Sequence, residues 1–162
     1  MKPQSSTIAL RPIAPLMAPP PLHFVAAFGI GALIQAFWPA ALSPVPEVLS
    51  VIGGFTIAAG VILALSLVST FLIRRTTLNP FAEPSVLLAA GPYRLSRNPM
   101  YVSVIIAYLG GTLLFGSLWP LLTLVVPLLI LARAVVPYEE AQMTATFGEA
   151  YSSYCQRVRR WI

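Results

Sequence analysis

The chain has 162 residues, of which 57% are hydrophobic and only 9% charged, with a mean hydropathy of +0.82. Soluble domains carry roughly 25% charged residues, so the solvent for most of this surface is lipid, and the length leaves room for one domain. A single cysteine, Cys155, excludes an internal disulfide and a multi-cysteine metal centre, and a single histidine, His23, excludes a histidine-rich one. The net charge of +5 is not laid out as a nucleic-acid stripe, so neither a nucleic-acid partner nor a metal is expected, and the basic residues bear instead on topology.

Residues 1–21 are proline-rich, carry Lys2 and Arg11, and read as a flexible arm. A cleaved signal peptide is the competing reading, but no small-residue cleavage site is clear and the following run is long enough to span. That run, residues 22–41, is a first span holding His23, an interfacial anchor, and Gln35, able to bond a neighbouring helix. Pro39, Pro44 and Pro46 then break the chain. Residues 48–73 form a second, longer span that predicts tilt. Its small residues, Gly53, Gly54, Gly60, Ser66 and Ser69, allow close helix approach, within the chain rather than between copies. Arg74 and Arg75 end it.

Residues 76–98 are polar and rich in Pro and Gly. Residues 100–115 predict a third span, Gly116-Ser117 a tight turn, and residues 118–136 a fourth span kinked at Pro127. Pro137 is expected to open a last, amphipathic helix, on which Met143, Phe147, Tyr151, Tyr154 and Val158 recur at three- and four-residue steps. The expected fold is all-α: an integral membrane bundle of four transmembrane helices with a C-terminal interfacial helix, divided as 1–21, 22–75 and 76–162. Four spans put both termini and residues 74–98 on one side, with all 10 basic residues, against Glu47 on the other. The positive-inside rule makes the basic side the cytoplasm, here that of a bacterial or archaeal inner membrane. Trp38 and Trp119 then mark the outer interface and Trp161 the inner one.

The stretch from Gly91 to Tyr101 is the most polar in the middle of the chain. Asn98 before Pro99 is a helix-start signal, in which Asn caps free N–H groups and Pro has none to lose. A short hairpin places residues 97–101 beside 133–140, joining Arg97, Asn98 and tyrosines to the adjacent carboxylates Glu139 and Glu140. The bland alternative is that the carboxylates cap the last helix or pair with Arg97 and Arg133, which lies one turn inside the span where a lone charge is costly. A ligand using both halves carries an anion and a cation, and S-adenosylmethionine has both, as do many zwitterions.

Several ordered motifs resemble a known superfamily. They are Gly91-Pro92-Tyr93-Arg94, Arg97-Asn98-Pro99-Met100-Tyr101, Glu139-Glu140, Phe147-Gly148-Glu149-x-Tyr151-x-x-Tyr154 and Arg157-Val158-Arg159-Arg160-Trp161, preceded by Thr76-Thr77-x-Asn79-Pro80. Together they are similar to the membrane methyltransferases of the isoprenylcysteine carboxyl methyltransferase and phospholipid N-methyltransferase superfamily, over about residues 76–161. The resemblance implies S-adenosylmethionine as cofactor, with Tyr93, Arg97, Asn98, Pro99 and Tyr101 on one side of its pocket and Glu139 and Glu140 on the other. The isoprenylcysteine branch has His where this chain has Asn98, which weakens a prenylated-cysteine substrate. The implied acceptor is lipophilic and enters from the bilayer: an isoprenylcysteine-like carboxylate, a phospholipid amine or a small thiol. Position and charge suggest Arg94 or Arg157 for an acceptor's anionic group, and Glu140 or a tyrosine for proton removal from an amine. The rival readings are a sterol-reductase-like nicotinamide enzyme and a non-catalytic membrane subunit or small transporter. The small size and the Glu139-Glu140 pair disfavour the first, and the lack of internal symmetry disfavours the transporter.

Overall fold

The computed structural model describes residues 19–42, 46–73 and 86–162. The expectations for the N-terminal arm before residue 19, for Arg74 and Arg75, and for residues 76–85 lie outside the described residues. The helices are α1 (Pro20–Phe37), α2 (Pro46–Ile73), α3 (Pro99–Phe115), α4 (Leu118–Phe147) and α5 (Glu149–Arg157), with a short 3-10 turn over Gly91–Arg94. No strand occurs among the described residues beyond an isolated bridge between Ala41 and Ser117. Helices α1, α2 and α4 are long and apolar enough to cross a membrane. At 17 residues, α3 sits at the short end of what a bilayer crossing needs. The architecture is the all-α membrane bundle that the composition requires.

Two features of α1 differ from the sequence reading. It begins at Pro20, so Pro20 and Pro21 belong to its first turn, where a missing N–H costs nothing. It ends at Phe37 because Pro39 cannot continue the ladder, and the Trp38 N–H closes the last turn on the Ile34 carbonyl.

Small residues weld α2 to α3. A Cβ on Gly53 would lie 2.7 Å from the Gly110 carbonyl oxygen, one on Gly60 2.7 Å from the Ala107 nitrogen, and one on Gly110 2.6 Å from the Ile57 nitrogen. Backbones this close gain dispersion contacts that larger side chains would forbid, the main attraction available between helices in lipid. The pairing is antiparallel and within the chain, as expected, whereas Gly54 faces open space. Helix α1 packs against α4 in the same way: a Cβ on Gly31 would sit 2.7 Å from Pro120 Cα, and Thr123 Oγ1 donates to the Ala27 carbonyl at 2.8 Å. Between these pairs lies a core of Phe24, Ala27, Tyr101, Tyr108, Leu124, Leu131, Val135 and Val136.

The turn between α3 and α4 fixes their register. Gly116 closes α3 with a positive φ of 70°, a conformation glycine adopts without strain. Ser117 Oγ accepts the Trp119 N–H at 3.2 Å and donates to Gln35 Oε1 at 2.8 Å, so Gln35 does bond a neighbouring element. Trp119 Nε1 donates to the Trp38 carbonyl, putting both tryptophans at this end of the bundle.

Helix α4 corrects the expected start of the last helix. Its regular pattern is interrupted at Leu124, just upstream of Pro127. Pro137, however, opens no separate helix. It has no N–H for the Arg133 carbonyl, and a π turn over Leu131–Val135 absorbs the mismatch, with the Val136 N–H reaching back to the Leu131 carbonyl. The helix runs on to Phe147, and the break falls at Gly148, whose φ is 50°. The last helix therefore starts at Glu149.

The glycine seam makes a direct prediction. Gly60→Val forces a side chain into the α3 backbone and should destabilise the detergent-solubilised protein by about 2 kcal/mol, measured by thermal unfolding. Gly54→Val should change stability by no more than about 0.5 kcal/mol. Equal effects at the two positions would refute the packing.

Candidate functional site

The antiparallel pairs α2/α3 and α1/α4 carry the start of α3 and the last turns of α4 to one end of the bundle. The chain from Gly91 to Asn98, helix α5 and the C-terminal residues cover that end. Each element delivers polar groups to the same place.

Glu140 is the centre of the arrangement. Arg97 Nη1 lies 2.9 Å from its Oε1, while Arg160 Nε donates to Oε1 at 3.1 Å and Arg160 Nη2 to Oε2 at 2.5 Å. Arg97 and Glu140 each keep 17% of their side-chain exposure, so the pair is largely withdrawn from water. Arg97 Nη1 also donates to Cys155 Sγ at 3.0 Å, whereas its Nε is buried with no partner among the described residues. Burial alone would lower the Arg97 pKa, but the Glu140 carboxylate, together with Cys155 and Tyr151, more than offsets it and the net shift is upward.

Glu139, one residue away and on a different face of α4, accepts from the Tyr101 hydroxyl at 2.5 Å. The adjacent carboxylates therefore have different partners: Glu140 holds two guanidiniums and Glu139 a phenol.

Asn98 occupies the cap position of α3, but its side chain caps nothing there. Its Nδ2 donates to the Arg160 carbonyl at 2.9 Å, and its backbone N–H is taken by Ser96 Oγ at 3.0 Å. The expected side-chain cap is thus replaced by a tether to the C-terminal segment. The Arg97 N–H donates to the Arg159 carbonyl at 2.9 Å, and Ser96 Oγ to the Arg160 carbonyl at 3.3 Å. Pro99 is buried at the first position of α3.

The tyrosines are donors here. Tyr154 gives its hydroxyl to the Tyr93 carbonyl at 2.7 Å, and Tyr151 packs beside it with ring centroids 6.1 Å apart. Both are buried with Val158 against Leu87, Met143 and Phe147, so the core reading of these two residues is sound. Burial pushes Tyr93 well up, helped by Tyr154 and Glu139, and Tyr154 to about 12; Tyr151 also rises, through burial and its neighbour Cys155. Phenols held so high stay protonated near neutral pH, which argues against a tyrosine as general base.

The structure does not gather every candidate. Arg94 and Arg157 are exposed, and Arg157 Nε turns back to the Ser153 carbonyl at 3.2 Å. Arg133 is exposed on the π turn, and the two carboxylates offered for pairing have other partners, Glu139 the Tyr101 hydroxyl and Glu140 the guanidiniums of Arg97 and Arg160. His23 is half-buried near the start of α1, away from these ion pairs. The sequence reading placed no chemistry on Cys155, Ser96 or Arg160. The first two are small uncharged residues, and Arg160, although part of the Arg157–Trp161 motif, reads only as charge suited to a helix C-terminus and headgroups.

The phospholipid methyltransferase family matches residues 48–150. The chain belongs to that family. The match runs from α2 through α4 and so contains Tyr93, Arg97, Asn98, Tyr101, Glu139 and Glu140, and it places the chain among membrane methyltransferases. An uncharacterized protein of Haemophilus influenzae is 32% identical over 63 residues, covering 39% of this chain and 100% of that protein. No solved structure matches the chain.

The tether makes a prediction about folding. Asn98→Ala removes one hydrogen bond to the Arg160 carbonyl and should cost about 1 kcal/mol. Asn98→Asp sets a carboxylate against that carbonyl and should cost about twice as much in thermal unfolding. The reverse order would show that Asn98 acts as an ordinary helix cap, where Asp serves as well as Asn.

Proposed function

We propose that the protein transfers a methyl group from S-adenosylmethionine to a lipophilic acceptor, at the end of the bundle that holds Arg97, Glu139 and Glu140. The observation that carries this reading is the coexistence there of both charges with hydroxyl donors, within a family of phospholipid methyltransferases. The donor set suits the cofactor. Arg97 has a buried, unpartnered Nε–H for a carboxylate, and Glu139 and Glu140 can accept from an ammonium and from ribose hydroxyls. Tyr93, Asn98, Pro99 and Tyr101 complete the lining.

When bound, S-adenosylmethionine supplies a methyl carbon activated by a sulfonium. The residues of this chain would contribute positioning and exclusion of water, because methyl transfer depends chiefly on alignment and desolvation. An amine acceptor must also lose a proton. Glu140 is poorly placed to take it, since both its oxygens already face guanidiniums. Glu139 is bound by one phenol and is the better candidate base. The exposed Arg94 and Arg157 would hold the phosphate of a phospholipid amine, the acceptor that best fits the family and the Asn98 departure from the isoprenylcysteine branch. The clustering of Arg94, Arg97, Arg133, Arg157, Arg159 and Arg160 toward this end favours the cytoplasmic side.

Calorimetric titration of the detergent-purified protein with S-adenosylhomocysteine should give clear binding below millimolar concentration. Arg97→Ala and Glu139→Gln should each weaken it by roughly 1.5–3 kcal/mol, about tenfold to a hundredfold. No binding at millimolar ligand would sink the proposal. In a lipid-extract methylation assay, Arg157→Ala should lower turnover of an anionic phospholipid; unchanged turnover removes that residue from acceptor binding.

A further inference from the structure

The family match ends at residue 150, yet residues 158–161 close directly over the site. Two backbone carbonyls of this segment take polar groups of the 96–98 stretch: Arg159 from the Arg97 N–H, and Arg160 from Asn98 Nδ2 and Ser96 Oγ. The Arg160 guanidinium grips both oxygens of Glu140. Trp161 packs against the central core cluster, which pins the end of the segment to the bundle. One residue thus touches both halves of the site, Asn98 through its carbonyl and Glu140 through its side chain.

We propose that Arg160 is a positioning residue, whose carbonyl and guanidinium hold Asn98 and Glu140 in the geometry that binds the cofactor; this rests on the methyl-transfer reading above. A two-point grip by a planar guanidinium fixes the carboxylate orientation in a way that a single contact from Arg97 does not. It also shares the carboxylate: Glu140 faces both Arg97 and Arg160, whereas without Arg160 it has Arg97 alone. Glu140 would then draw Arg97 more tightly and withdraw it from an incoming anion.

The test is titration of the full-length protein with S-adenosylhomocysteine, comparing Arg160→Ala, Arg160→Lys and Arg159→Ala with the unaltered chain. Arg160→Ala should bind about tenfold more weakly, and Arg160→Lys, which keeps the charge but loses the fork, should fall between. Arg159→Ala should bind normally, because its exposed side chain meets no site residue while its carbonyl is retained. Added guanidinium ion should restore part of the affinity of Arg160→Ala, which a merely structural defect would not allow. Should Arg160→Ala fail to fold, Arg160→Lys decides alone: weaker binding at an unchanged melting temperature supports the role, and unchanged binding overturns it. Normal affinity in Arg160→Ala, or an equal loss in Arg159→Ala, also overturns it. If the unaltered protein itself binds nothing, the cofactor reading fails first, a result distinct from normal binding by both the unaltered chain and Arg160→Ala.

Discussion

The polar end of the bundle depends on one half-buried ion pair, Arg97 with Glu140. Withdrawing either charge from water is costly, and the cost is offset only when a partner with good geometry is present. Here the partners come from three separate pieces of chain: the segment before α3, the last turns of α4, and the C-terminal residues through Arg160. None of the three can move far without stranding a charge. The pair therefore serves as a positional lock as much as a source of stability.

What brings those pieces together is packing far from the charges. Gly53, Gly60 and Gly110 let α2 and α3 touch backbone to backbone, and Gly31 does the same for α1 and α4. The turn at Gly116-Ser117 sets the relative height of α3 and α4, and Gln35 ties α1 to that turn. Those contacts at one end determine which residues of α3 and α4 coincide at the other. Tyr101 meets Glu139, and Arg97 meets Glu140, because the helices between are held in one register.

The sequence made the spans and the tight turn legible, because apolar length and turn chemistry are local signals. The pairing of Arg97 with one of the carboxylates was legible as well, since a short hairpin leaves few alternatives. Local signals failed at Pro137 for a physical reason. Proline usually marks a helix start, but a π turn can absorb it inside a helix, and nothing in the Leu131–Val135 sequence announces that turn. Asn98 misled in a similar way. Its type suits a cap, but a nearby carbonyl from the chain end outcompetes the helix N–H groups, and contacts across 62 residues leave no trace in local pattern. Arg160 stood within a resembling motif, but its contact with Glu140, 20 residues away, leaves no local trace either.

The lock also bears on what kind of ligand the site can accept. A simple anion drawn to Arg97 would compete with Glu140 for the guanidinium and leave a carboxylate less well compensated in a poorly hydrated place. A simple cation drawn to Glu140 would do the reverse to Arg97 and Arg160. A ligand carrying both signs would avoid either penalty, because its anion would meet Arg97, whose buried Nε–H has no partner among the described residues, while its cation met a carboxylate. Specificity of this sort comes from the cost of leaving charges unpaired rather than from the strength of any one contact. Tyr93 would add to the discrimination: held protonated by burial, its hydroxyl would be a donor to an acceptor-rich ligand without adding a third negative charge to the two carboxylates. On the proposed methyl-transfer reading, charges paired in this way would favour a zwitterion with hydroxyl groups over a bare phosphate.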